Sequence, residues 1–116
     1  MSTAIGRLAE DAAATFLRGN GFKTLAQNWR TRWCEIDIVA SKNSRIYFVE
    51  VKYRASEKWG SGLEYITPRK LLQMHFAAEF WIASDRAKGA RSYALSAIEL
   101  TDNPPQITQW LEDIGG

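Results

Sequence analysis

Trp33–Arg54 reads WCEIDIVASKNSRIYFVEVKYR. It divides into two runs of alternating character, Glu35-Ile36-Asp37-Ile38-Val39 and Ile46-Tyr47-Phe48-Val49-Glu50-Val51-Lys52-Tyr53. Alternation at period two marks β-strands with two different faces. The link Ser41-Lys42-Asn43-Ser44 carries the short polar residues that turns favour. With Asn43 and Ser44 at the tip, antiparallel pairing sets Val39 opposite Phe48, Asp37 opposite Glu50 and Glu35 opposite Lys52. Directly opposed residues share a face. The other face then receives Ile36, Ile38, Val49 and Val51, a core set. A slip of one residue would drive Asp37 or Glu50 into that apolar layer, so the register is specified.

Two carboxylates opposed across a ladder repel and destabilise the sheet. A hard divalent cation would offset this, since Mg²⁺ takes carboxylate oxygens while keeping waters. Lys52, two residues past Glu50 on the same face, adds a positive charge beside them. The plainer reading is a solvated strand face holding a Glu35–Lys52 cross-strand pair. The residues alone leave both open.

The order Asp, hairpin, Glu-x-Lys resembles the signature of the PD-(D/E)xK nuclease superfamily. Three strings sharpen the likeness: Gly6-Arg7-Leu8-Ala9-Glu10, Glu35-Ile36-Asp37-Ile38-Val39-Ala40 and Phe48-Val49-Glu50-Val51-Lys52-Tyr53-Arg54. Together they resemble the YraN-like family of small endonuclease-like proteins, similar in fold to archaeal Holliday-junction resolvases. The resemblance implies an α/β restriction-endonuclease-like fold in one domain, ordered α-β-β-β-α-β, with a mixed central sheet flanked by helices. It implies Mg²⁺ (or Mn²⁺) held by Asp37, Glu50 and the backbone carbonyl of Val51. Lys52 would orient the attacking water or stabilise charge on phosphorus. Glu10, on the first helix, would be a further acidic participant, with Glu35 holding a second metal or its waters. The implied substrate is DNA, with branched DNA an analogy from fold relatives; symmetric cutting of two strands would require a homodimer. This chain departs from the family pattern at Cys34, where glycine is usual, and at Arg91-Ser92-Tyr93, where the family has Arg-Phe-Asp.

The composition permits this reading. At 116 residues the chain is long enough for one independent core. No apolar run approaches the ~20 residues of a membrane span, and the start shows no charged-then-apolar signal pattern. One cysteine and one histidine exclude an intrachain disulfide and a His/Cys zinc cage, and fit a reducing cytoplasm. The net charge of +2 is too small for a nucleic-acid coat protein. Arg30, Arg32, Arg45, Arg54, Lys58, Arg69 and Lys70 nonetheless flank the hairpin in sequence, as a basic rim for a phosphodiester would; a scattered solvated surface is the alternative.

Outside the hairpin, Thr3–Arg18 reads as an amphipathic helix. Its stripe is Ile5, Leu8, Ala9, Ala12, Ala13 and Phe16, and Glu10 lies at the border. Phe22–Trp29 reads as the first strand. Trp29-Arg30-Thr31-Arg32-Trp33 interleaves aromatics with arginines; we read the tryptophans as lying on the sheet and the arginines as phosphate contacts. Ala55–Ile66 is a glycine-containing loop bordering the groove. Thr67–Ala83 is the second helix, with Thr67 as N-cap and Pro68 at the first helical position. Arg69 and Lys70 in its first turn are candidate phosphate contacts, as is Arg7 on the first helix; His75 reads as an ordinary helix residue. Tyr93–Leu100 is a fourth strand, and Ile107–Ile114 an edge strand or a helical turn.

Overall fold

The computed structural model describes residues 3–55, 66–86 and 92–115. The expected loop around Trp59 and the position of Arg91 lie outside these residues. The elements run α1 (Ala4–Gly19), β1 (Lys23–Arg30), β2 (Glu35–Lys42), β3 (Arg45–Arg54), α2 (Pro68–Trp81), β4 (Ser92–Thr101) and β5 (Gln106–Leu111). A π-helical turn, Ile82–Arg86, extends α2. One sheet holds all five strands in the order β1-β2-β3-β4-β5, with β3 and β4 parallel and the other pairs antiparallel. The architecture is α/β with a mixed sheet, as expected from the hairpin and the resemblance. β5 adds an edge strand where strand and helical turn had both been open.

The hairpin register is the one read from the alternation. Val39 pairs with Phe48, Ile38 with Val49, and Lys42 with Arg45. Asn43 and Ser44 both have positive φ, 53° and 64°. That is the tight two-residue turn whose twist matches the strands it joins.

Both faces of the sheet are covered. α1 packs Ala9, Ala13, Ala14 and Leu17 over Ile38, Val49, Ala94, Ile98 and Leu100. α2 packs Met74, Ala77, Ala78 and Trp81 over Ile36, Val39, Ile46, Phe48 and Leu95. Because α2 carries the crossover from β3 to its parallel neighbour β4, it must lie along the sheet. β4 is accordingly buried from Ala94 to Thr101, as strands enclosed on both faces are.

Two details differ from the sequence reading. The α1 stripe is rotated: Glu10, Ala14 and Leu17 are buried, while Leu8 is exposed. Three alanines let the helix sit close to the sheet, and alanine spreads round the helix too evenly to set its phase. Ile36 joins the α2-side cluster, not the α1-side cluster of Ile38. The regular pairing of β2 is interrupted between these residues. On β1, Asn28 (φ 55°) lies between the pairs Gln27–Ile38 and Trp29–Ile36, and the β2–β3 ladder ends at the Ile38–Val49 rung.

Candidate active site

The interruption of β2 is where the acidic residues gather. Past the Ile38–Val49 rung the Asp37 carboxylate takes over from the ladder: its Oδ2 accepts a hydrogen bond from the Val51 amide at 2.8 Å. Asp37 is thereby clipped across to β3, one residue beyond Glu50. Burial pushes the Asp37 carboxyl up from 3.8 to about 7. Repulsion from Glu50 adds to this and smaller repulsions come from Glu10 and Glu35, while the Val51 hydrogen bond pulls the other way. The opposed carboxylates read from the register therefore do sense each other.

Glu50 is half-buried and meets Lys70 Nζ at 2.9 Å. Thr67 caps α2 as expected: its hydroxyl oxygen accepts from the Lys70 amide at 3.1 Å. The cap fixes the first turn and, with it, the place of the ammonium. Lys70, a candidate phosphate contact, pairs with Glu50 in this structure. Such a pairing is not legible in sequence because it depends on where α2 lands on the sheet.

Glu10 points inward from α1, 9% exposed, and its Oε2 has no hydrogen-bond partner among the described residues. Burial raises its pKa, opposed by a hydrogen bond from the Asn28 side chain and by Arg30, with Asp11 and Glu35 adding repulsion. Asn28 was missed in the sequence. Its positive φ, which asparagine tolerates better than most residues, seats it beside Glu10. An asparagine within a strand pattern was the available signal.

Glu35 is exposed and pairs with Arg30 at 3.4 Å across the β1–β2 rung. The Glu35–Lys52 pair is replaced by this contact, because Arg30 is its neighbour on β1 while the β2–β3 ladder has ended. Lys52 is exposed two residues beyond Glu50, and its register partner on β4 is Glu99. Glu99 is buried, accepts from Thr108 Oγ1 at 3.0 Å and approaches Arg54 at 3.6 Å.

A cavity of about 430 Å³ opens beside Glu50, and Trp33, Cys34, Glu35, Arg69, Lys70 and Phe76 are on its wall. Of the basic residues singled out, Arg69 and Lys70 line it, and Arg32 lies over the Trp33 ring, 5.3 Å from its centroid. Arg7 is exposed on α1. Arg45 is at the closed end of the hairpin, bound to Asp113 at 3.0 Å, and so leaves the expected rim. His75 contacts the Tyr93 hydroxyl at 3.2 Å and lines a different cavity, an ordinary helix residue as read. Trp29 packs against the α2-side cluster, but Trp33 is 64% exposed and does not lie on the sheet.

Among the described residues, no three His, Cys, Asp or Glu side chains converge as a ready metal cage. The donors do fit a hard cation held by few protein ligands. They are oxygens, one carboxyl has its proton affinity raised by its surroundings, and one buried carboxylate oxygen lacks a partner. Mg²⁺ is commonly held in this way, by one or two carboxylates with waters and substrate phosphate completing the shell.

A family model described as "Uncharacterised protein family UPF0102" matches residues 9–99. The chain belongs to the UPF0102 family. This is the YraN-like family that the motif strings resemble. A UPF0102 protein from Neisseria gonorrhoeae (strain NCCP11945) is 34% identical over 111 residues, covering 96% of this chain and 94% of the relative. A UPF0102 protein from Syntrophomonas wolfei subsp. wolfei is 42% identical over 84 residues, covering 72% of this chain and 73% of the relative. The span shared with the UPF0102 model includes Glu10, Asp37, Glu50, Lys52 and Lys70, and leaves out Arg7 and β5. No helix among the described residues is long and apolar enough to cross a membrane.

Proposed function

We propose that this UPF0102 protein is a metal-dependent endonuclease acting on DNA by phosphodiester hydrolysis. The observation that carries this is the Asp37–Glu50 carboxylate pair, which still repels although Lys70 meets Glu50. Asp37 is held near Glu50, and burial and repulsion lift its carboxyl to about 7. Folding in this manner costs stability, which a site for a cation would account for.

Asp37, Glu50 and the Val51 carbonyl would hold Mg²⁺ or Mn²⁺, and Glu10 and Glu35 would hold a second metal or its waters. The bound metal would supply positive charge to the scissile phosphate and acidify an attacking water. The residues themselves do the rest. Val51 N–H keeps one Asp37 oxygen turned along β3. Lys70 pairs with Glu50 and becomes a phosphate donor once the cation takes its place. Lys52 orients the water or stabilises the charge that develops on phosphorus. Arg69 and Arg32 grip phosphates without reading sequence.

The Lys70–Glu50 contact favours a second reading, since one carboxylate is already neutralised within the chain. In it the fold is a catalytically idle module that binds DNA or a protein. Incubation with linear, flapped, single-stranded and four-way-junction DNA, in Mg²⁺ and then Mn²⁺, separates the two. Cleavage that disappears in Glu50→Ala and Lys52→Ala supports the nuclease. Salt-dependent binding with no cleavage of any substrate supports the idle module, and a preference for the junction would call for a homodimer.

A further inference from the structure

Three large apolar side chains on the cavity wall beside Glu50 stand in water. Trp33 is 64% exposed, Leu72 70% and Phe76 52%. The inner face of α2 is already supplied by Met74, Ala77, Ala78 and Trp81, so the core does not require Leu72 or Phe76. Trp33 sits on a stiff turn, not a loose one: Thr31 Oγ1 accepts from the amides of Trp33 and Cys34, both at 3.1 Å. Phe80 bridges the aromatics, its ring centroid 5.7 Å from that of Trp33 and 6.1 Å from that of Phe76. Arg69 and Lys70 line the same cavity.

We propose that this wall is a stacking subsite for an unpaired nucleobase whose flanking phosphate meets Arg69, with Lys70 joining it once a cation takes over Glu50. The substrate class is then nucleic acid with single-stranded or extruded nucleotides, not intact duplex. This rests on the nuclease reading of the neighbouring carboxylates and narrows it. A nucleotide joins a flat aromatic body to an anion, and the cavity joins an aromatic wall to two cations. Bases within a duplex are already stacked and have no free face to offer. A volume of about 430 Å³ is within the range of small-ligand pockets. A second copy of the chain fits the wall less well, because a two-fold interface would bury Glu35, Glu50, Arg69 and Lys70 from both copies.

The test measures binding of a labelled single-stranded oligothymidine and of a blunt duplex of equal length, without divalent cation. The native protein should prefer the single strand. Trp33→Ala and Phe76→Ala should each weaken that binding about 10-fold and leave the duplex unchanged. Trp33→Tyr should restore most of the loss, and unchanged melting temperatures would exclude misfolding. Equal losses on both ligands, or none, would overturn the subsite while leaving the nuclease reading in place. No binding of either ligand by the native chain would overturn the subsite, and cleavage in Mg²⁺ or Mn²⁺ would still decide the nuclease reading. A native dimer that Trp33→Ala converts to monomer in sedimentation would assign the wall to a second copy and overturn the proposal.

Discussion

The two ends of one hairpin behave differently. At the closed end, Ile38–Val49 and Val39–Phe48 are ladder rungs with buried side chains on both faces, and the turn residues adopt the positive φ that the tight turn requires. At the open end the same alternation puts carboxylates where the closed end has valine and phenylalanine. The ladder gives way to a side-chain bond from Asp37, and a cation from α2 settles on Glu50. One pattern thus builds a core and, two residues on, a polar site. The difference lies in what α2 sets against the strand. Ala78 and Trp81 pack with Ile46, Phe48 and Leu95 in an apolar cluster, whereas at the open end Met74 and Ala77 close a small pocket over Asp37 and Glu50 and the first turn of α2 brings Arg69 and Lys70 alongside.

The largest effect expected is on chemistry at the open end. Asp37→Ala and Glu50→Ala should each lower cleavage by about 10³-fold, comparable to losing a principal charge-stabilising group. The counterpart at the closed end is Ile38→Ala, which leaves a cavity between α1 and the sheet. It should cost about 2–5 kcal/mol in chemical denaturation, with cleavage per folded molecule unchanged. If Ile38→Ala abolished cleavage in fully folded protein, the division between the ends would not hold.

A third expectation concerns pH. The folded-state pKa of Asp37 is raised, so the fold favours the protonated form. Its contribution is most favourable below about 3.8, declines as pH rises towards about 7, and is then flat. Asp37→Asn, which keeps an acceptor for Val51, should therefore stabilise the protein at pH 8 by on the order of 2–4 kcal/mol, and by little at pH 4. Thermal melts at the two pH values read this directly. Added Mg²⁺ should raise the pH 8 melting temperature of the native chain but not of Asp37→Asn. An equal gain in both would separate the strain at Asp37 from metal binding.

Smaller effects refine the boundary. Thr67→Ala removes the cap that seats Lys70 and should cost about 1 kcal/mol, with a loss of DNA affinity if Lys70 contacts phosphate. Ser44→Gly relieves a positive φ at the closed end and should stabilise by about 0.5–1 kcal/mol without touching the site.

Much of this contrast was legible beforehand. The alternation of Glu35–Val39 against Ile46–Tyr53 specified the strands and their register, and Asn43-Ser44 marked the turn. Thr67-Pro68 marked the start of α2. Less legible was the side of α1 that turns inward, since its alanines make several phases equally apolar. Ile36 was assigned to the wrong face because the left-handed Asn28 and the loss of the Ile38–Val49 ladder beyond that rung are properties of neighbouring strands. The exposure of Trp33 was missed because an indole next to arginines is compatible with lying on a sheet or standing off it.

By itself, then, the sequence determined which residues oppose one another across the hairpin. Side-chain direction in a strand follows from parity, which depends on the local chain alone. It also carried the motif strings that fit the UPF0102 family. The tertiary structure decided what those residues meet. Lys70 reaches Glu50, Glu10 loses its water, and Trp33, Leu72 and Phe76 keep theirs, because each outcome depends on how the helices lie on the sheet. Partners distant in sequence are set by packing, which acts between elements and leaves no periodicity in either of them.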